Sequence, residues 1–182
     1  MFPARRAFRA ASALSASPFR SYHATPSMFV KINDTIPDVE LMENSPGNKV
    51  SIAKELKGKG VIIGVPAAFS PSCSESHIPG YINSSKLKDA GQVFVVSVND
   101  AFVMGQWGKS LDPEGKSGIR FLADPMGRFT KALELDFDGT AIFGQPRSKR
   151  YALVVDDGKV KSVHVEPDNT GVKESTADKV LE

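Results

Sequence analysis

Gly60-Val61-Ile62-Ile63-Gly64-Val65-Pro66-Ala67-Ala68-Phe69-Ser70-Pro71-Ser72-Cys73-Ser74-Glu75-Ser76-His77 reads as one buried strand, a turn bracketed by two prolines, and the start of a helix. Gly60 to Val65 is β-branched without polar alternation, the pattern of a central strand covered on both faces. Pro66 ends the strand. The helix is predicted over Ser72 to about Lys88, with a break or bend near Pro79-Gly80.

Working outward, Asn48 to Ser51 reads as a short strand followed by a helical turn through Leu56. Gln92 to Val98 is a second buried strand and Asp100 to Lys109 a short helix. Ile119 to Ala123 is a third strand, and Gly127 to Leu135 a helix with Phe129, Ala132 and Leu133 on one side. Tyr151 to Val155 and Lys159 to Val165 flank Asp156-Asp157-Gly158, a hairpin with an Asp-Gly turn. Thr176 to Glu182 is expected to be helical. No internal repeat interrupts the series. Strands alternating with helices, parallel crossovers first and an antiparallel hairpin last, predict one α/β domain over residues 28–182: a central mixed β-sheet flanked by helices, in a thioredoxin-like fold.

Composition narrows the function. The chain has 182 residues, 41% of them apolar, enough for a single hydrophobic core. The longest nearly unbroken apolar run, Val61 to Phe69, is about half of the roughly 20 residues a membrane-spanning helix needs, so no membrane segment is expected. A single cysteine excludes an intramolecular disulfide and a zinc site built on several thiolates, and suits a thiol-reducing compartment. His23, His77 and His164 are scattered and form no metal-ligand spacing; no metal or cofactor is expected. Gly58-Lys59-Gly60 precedes a strand instead of opening a helix, so it is not a phosphate-binding loop.

The net charge of +2 conceals an asymmetry. Residues 1–27 hold Arg5, Arg6, Arg9 and Arg20 with no lysine and no acid, which leaves the other 19 bases facing all 21 acids. The remainder is therefore weakly acidic and offers no basic patch for nucleic acid. The Arg-rich, Ser-rich, acid-free leader has the composition of a mitochondrial transit peptide, and Ala10 to Ala16 is too polar for a secretory signal. A basic tail that targets nothing is the plain alternative. The step Arg20-Ser21-Tyr22 resembles a matrix-protease cleavage site, which would start the mature chain near His23. The expected location is the mitochondrial matrix, ahead of the cytosol.

Cys73 falls in the first turn of the predicted helix, where unpaired backbone N–H groups and the positive end of the helix dipole favour a negatively charged sulfur. A lone cysteine is more often a small buried hydrophobe. Here the helix-start position, the polar neighbours and the spacing Pro66-x-x-x-Ser70-x-x-Cys73 argue for chemistry.

With that motif the chain resembles the type II, peroxiredoxin-5-like peroxiredoxins, of the fungal and plant mitochondrial type, from about Met28 to Val180. Matching stretches are Ser97-Val98-Asn99-Asp100-Ala101-Phe102-Val103, Leu122-Ala123-Asp124-Pro125, Lys149-Arg150-Tyr151 and Val165-Glu166-Pro167-Asp168. The resemblance implies a thiol-dependent peroxidase acting on hydrogen peroxide and alkyl hydroperoxides. Cys73 would be the attacking thiolate and Ser70 the hydroxyl touching it. Pro66 would be the proline shielding the site, and Arg150 the arginine brought in from a distant strand. It also implies a homodimer and a role in antioxidant defence and redox homeostasis.

Three departures stand out. Ser70 replaces the commoner threonine and lacks the methyl that restrains χ1. Ala67 replaces a glycine, so the backbone there must avoid positive φ. Glu174 stands near the place of a resolving cysteine found in some relatives. Without a second thiol, a Cys73 sulfenic acid would be reduced by an external thiol, glutathione with glutaredoxin or thioredoxin: a one-Cys variant. The alternative is a peroxide sensor or redox relay that passes oxidation to a partner protein.

The remaining candidates carry more than one reading. His77, four residues after Cys73 on the same helix face, is expected to support the site, or else to be an exposed or packing residue, with general base as the least favoured role. Trp107 reads as core or as the site's edge. Phe69, Ile142 and Phe143 read as apolar pocket walls or dimer contacts against plain core packing. Arg147 reads as a solvated surface charge ahead of a second site arginine.

Overall fold

The computed structural model describes residues 29–181; the expected presequence, residues 1–27, lies outside them. Strands β1 (Leu41–Glu43) and β2 (Ser45–Val50) form a hairpin, followed by a helical turn, α1 (Ile52–Glu55). Strand β3 (Lys59–Val65) leads through the Pro66–Pro71 turn into a π-helical segment, Ser72–His77, which continues as α2 (Ile78–Ile82). Then come β4 (Gln92–Ser97), α3 (Ala101–Leu111), β5 (Arg120–Ala123) and α4 (Arg128–Ala132). A small two-stranded sheet, β6 (Asp136–Phe137) with β7 (Arg147–Ser148), encloses α5 (Thr140–Phe143). Strands β8 (Tyr151–Asp156) and β9 (Lys159–Val165) and helix α6 (Ala177–Val180) complete the chain.

The main sheet has seven strands in the order β2-β1-β5-β4-β3-β8-β9. β3, β4 and β5 run parallel, and β8 returns antiparallel beside β3. This is the expected α/β thioredoxin-like arrangement, with the parallel crossovers first and the hairpin last. Asp157 and Gly158 both take positive φ at the hairpin tip (47° and 71°), which matches the right-handed strand twist.

β3 is central because both of its faces are apolar. Val61, Ile63 and Val65 pack with Ile78, Tyr81, Met104 and Trp107 on one side. Ile62 packs with Phe94, Leu122, Phe129, Tyr151 and Leu153 on the other. Each buried aliphatic side chain contributes about 2 kcal/mol, which outweighs the roughly 1 kcal/mol that a glycine costs within a strand. Gly64 is required by close approach: a Cβ there would lie 2.0 Å from Cε1 of Tyr151.

Two helices are shorter than the sequence predicts, whereas α3 runs two residues past the expected Lys109. The one expected over Ser72 to Lys88 stops at Ile82, and Leu87–Asp89 is a separate 3-10 turn. Its opening is a π-helix, in which the Ile78 N–H reaches back five residues to the Cys73 carbonyl. Pro79, with no N–H to donate, falls where the ladder returns to its four-residue span. The helix expected to run to Leu135 ends at Ala132, followed by Glu134 at φ 55°. Among the described residues, no helix is long and apolar enough to cross a membrane, and no three His, Cys, Asp or Glu residues gather as a metal site.

Candidate active site

The parallel strands deliver their C-terminal ends to one edge, and the site is built there. Pro66 is buried at the end of β3. The Ala68 N–H donates to Oδ1 of Asn99, just beyond β4, at 3.1 Å, so the turn after β3 is tied to its neighbouring strand. Ala67 avoids positive φ as its side chain demands; Phe69 takes it instead, at 61°, a conformation that costs about 1 kcal/mol for a residue with a Cβ. That twist lets the Ser70 carbonyl accept from the Ser74 N–H at 3.0 Å and turns the Ser70 hydroxyl toward the helix.

Cys73 is fully buried. Two donors converge on its sulfur: Oγ of Ser70 at 2.8 Å and Nη1 of Arg150 at 3.2 Å. Arg150 lies just before β8, 77 residues further along the chain, and is 1% exposed. Among the described residues no carboxylate pairs with it. Its Nη1 is shared between the Cys73 sulfur and Nδ1 of His77, the latter at 3.1 Å, while its Nε donates to the Thr170 carbonyl at 3.1 Å. Leaving a buried guanidinium without a counter-charge is costly, and of the side chains it contacts only Cys73 can become an anion.

The partners of His77 define its tautomer. Nε2 lies 2.9 Å from the Ser175 carbonyl, an oxygen that can only accept, so Nε2 carries the proton. Nδ1 is then the lone pair that accepts from Arg150. Burial, with the Arg150 cation as the second cause, pushes the His77 pKa down to about 4. A neutral ring with both nitrogens engaged supports Arg150 and is not free to take a proton as a general base. Tyr81 donates to the same Ser175 carbonyl at 2.7 Å, and burial pushes its pKa upward, so it stays a neutral donor.

Ser175 is itself held by Glu166. One carboxylate oxygen of Glu166 accepts from the N–H groups of Lys173, Glu174 and Ser175 and from the Ser175 hydroxyl, at 2.7–2.9 Å. Burial raises the Glu166 pKa, and these hydrogen bonds outweigh it, leaving the group below the ordinary carboxylate range. Glu166, Thr170, Ser175, Tyr81 and Asn99 had no assigned role in the sequence analysis. The only signals were two matching stretches, Ser97 to Val103 with Asn99 in it and the run Val165-Glu166-Pro167-Asp168, whose chemistry is invisible because it acts on backbone N–H groups.

The other candidates divide. Trp107 is fully buried core and edge-on to Phe121 at 5.5 Å, yet its indole N–H donates to Oγ of Ser74 at 3.0 Å, one residue from the thiol. Phe69 and Ile142 are exposed, by 55% and 80%, which excludes core packing for both. Phe143 is half-buried, with its ring beneath the Arg147 guanidinium at 5.1 Å. The expectation of a solvated Arg147 is corrected. That residue is buried, its Nη1 donates to the Val98 carbonyl, and burial lowers its pKa.

A thiol at the start of a helix beyond a central parallel strand, held by a hydroxyl and a buried guanidinium, defines a thiol-centred oxidoreductase. Comparison with known proteins gives the same class. The Redoxin family pattern matches residues 31–181. The chain is 46% identical over 155 residues to the Peroxisomal membrane associated protein 20 of Schizosaccharomyces pombe, covering 84% of this chain and 97% of that protein. It is 42% identical over 144 residues to Peroxiredoxin-2C of Oryza sativa, covering 75% and 88%. Among solved structures, reduced Prx3 in complex with H2O2 from Vibrio vulnificus superposes with a TM-score of 0.75 at 38% identity, over 84% of this chain and 98% of that one. The chain belongs to the Redoxin family and, within it, to the peroxiredoxins, which are thiol peroxidases.

Proposed function

We propose that the protein reduces hydrogen peroxide and alkyl hydroperoxides at Cys73 by a one-Cys mechanism. The observation that carries this reading is the buried Arg150 guanidinium, donating to the Cys73 sulfur at 3.2 Å with the Ser70 hydroxyl at 2.8 Å. The thiolate attacks one peroxide oxygen, the S–O bond forms and the O–O bond breaks. The leaving oxygen takes the electron pair and a proton, departing as water or alcohol. Sulfur is oxidised by two electrons to the sulfenic acid. Arg150, Ser70 and the backbone N–H groups of the helix start stabilise the charge growing on the leaving oxygen without rearranging, and Pro66 shields the sulfur from water.

The chain holds one cysteine. Glu174, near the position of a resolving cysteine in some relatives, is exposed and paired with Lys179 at 3.0 Å. An external thiol therefore condenses with the sulfenic acid to release water, and a second thiol restores Cys73. Glutathione with glutaredoxin, or thioredoxin, fills this role. The exposed Phe69 and Ile142 belong to a homodimer contact. The arginine-rich leader directs the protein to the mitochondrial matrix, where it serves antioxidant defence.

The test is steady-state peroxide consumption with glutathione and glutaredoxin, and in parallel with thioredoxin and its reductase, for wild type and Cys73→Ser. Turnover with either couple, lost in the variant, supports the reading; activity surviving in Cys73→Ser overturns it. A single stoichiometric burst with both couples moves the assignment to the second reading, a peroxide relay, which the lone cysteine also favours. Fractionation of native cells, with the mature N-terminus sequenced, tests the leader; an intact Met1 in mitochondria-free fractions would remove it from the proposal.

A further inference from the structure

Residues 166–175 touch Arg150 directly at three points and reach it at a fourth through His77. The Arg150 N–H donates to the Asn169 carbonyl at 2.7 Å, and its carbonyl accepts from the Glu166 N–H at 3.0 Å. Its Nε donates to Thr170, and its Nη1 reaches His77, which hangs on Ser175. Such a segment has few apolar anchors of its own: Val172 is half-buried, and Pro167, Asp168, Thr170, Lys173 and Glu174 are exposed. Its shape comes from two carboxylates. Asp168 accepts from the Gly171 N–H at 2.7 Å and turns the first half. Glu166 gathers four donors on one oxygen and closes the second half.

We propose that Glu166 is a positioning residue for the Cys73 centre: its carboxylate shapes residues 166–175 into a clamp that offers the Ser175 carbonyl to His77 and the Thr170 carbonyl to Arg150. The causal order follows from donor and acceptor chemistry. The Ser175 carbonyl requires the Nε2–H tautomer of His77. That tautomer leaves Nδ1 bare, and a bare Nδ1 takes one N–H of the Arg150 Nη1. The other N–H is then directed at the sulfur. If the carbonyl moves away, the ring is free to carry its proton on Nδ1, where it would confront the guanidinium N–H and push it off the sulfur. A neutral amide oxygen has no charge with which to hold four donors, so Glu166→Gln loosens the clamp while keeping the side chain's shape.

The proposal rests on Cys73 being the peroxide-reducing sulfur, and the experiment separates the two. Wild type, Glu166→Gln and Glu174→Ala are compared by the second-order rate constant of Cys73 with hydrogen peroxide, and by long-range 1H–15N NMR of the His77 ring. Glu174 serves as the control because, among the described residues, Lys179 is the one polar partner of its side chain. Glu166→Gln is expected to convert a pure Nε2–H ring into a tautomer mixture and to lower the rate constant by about tenfold or more, the scale of a displaced catalytic group. Glu174→Ala is expected to match wild type in both. A Glu166→Gln protein with a wild-type ring and rate overturns the proposal, even if its melting temperature falls. A wild type that does not react with peroxide overturns the peroxidase reading, while the ring signals still decide the clamp. Should Glu166→Gln fail to fold, Ser175→Ala removes one of the four bonds; an unchanged ring there also overturns the proposal.

Discussion

Acidification should weaken the fold through His77, and the size of the effect follows from its surroundings. In the unfolded chain this ring has the ordinary histidine pKa of 6.5, whereas burial and Arg150 hold it at about 4 in the folded protein. Between these values the unfolded state binds a proton that the folded state refuses. Stability is therefore unaffected well above pH 6.5, falls as pH drops through 6.5, and levels off below about 4. The gap between the two values corresponds to about 3 kcal/mol in full, of which about 2 kcal/mol is lost by pH 5. For a domain of this size that lowers the melting temperature by about 4–8 °C. The assay is urea unfolding at pH 7.5 and pH 5.0 for wild type and His77→Gln, which keeps a polar side chain but cannot titrate. The difference between the two pH values should be smaller by about 2 kcal/mol in the variant. Equal losses in the two proteins would refute the assignment of His77 as a buried neutral ring.

Three further outcomes follow from the same geometry. Arg150→Lys and Arg150→Ala should each reduce peroxide consumption by about a hundredfold, because a single ammonium cannot reach the sulfur, the His77 ring and the Thr170 carbonyl together and alanine reaches none of them; stopped-flow kinetics at saturating reductant would show it. Ser70→Ala should slow the same step by roughly a hundredfold through loss of one donor, whereas Ser70→Thr should retain wild-type rates, since threonine presents the same hydroxyl. Gly64→Ala should cost about 1–3 kcal/mol in urea unfolding, because its Cβ would meet the Tyr151 ring at 2.0 Å.

The parts of this molecule that were readable in advance are those written in side-chain pattern. The β-branched run of β3, its closing proline and the helix start at Ser72 announce themselves locally, and so does the Asp157-Gly158 turn. The meeting of Arg150 with Cys73 does not, because it joins residues 77 apart in the chain; only resemblance to a family pointed to it. Backbone events were invisible. Nothing in Ser72 to His77 distinguishes a π-helical ladder from an α-helical one, since the two differ by one residue in hydrogen-bond span and share the same polar side chains. Arg147 was misread for a related reason. It stands in the charged run Arg147-Ser148-Lys149-Arg150, and its burial depends on the cover of Phe143, which sequence order alone does not reveal. The role of Glu166 was not legible because its four partners lie seven to nine residues ahead, on the main chain and one hydroxyl.

Arg150 sits in the interior as a permanent cation with a neutral histidine and a carbonyl for company. In the proposed cycle its sulfur neighbour changes charge while the arginine does not. Before the reaction, thiolate and guanidinium cancel. Afterwards the sulfur is an uncharged sulfenic acid, and among the described residues no carboxylate pairs directly with the positive charge left in the interior. The oxidised enzyme is thus electrically frustrated. Three exits relieve it: return to the thiolate, a shift of the loop that lets water reach the guanidinium, or a second oxidation to an anionic sulfinate. The last of these restores neutrality and ends turnover, so the feature that prepares the sulfur for peroxide also sets the competition between repair and loss.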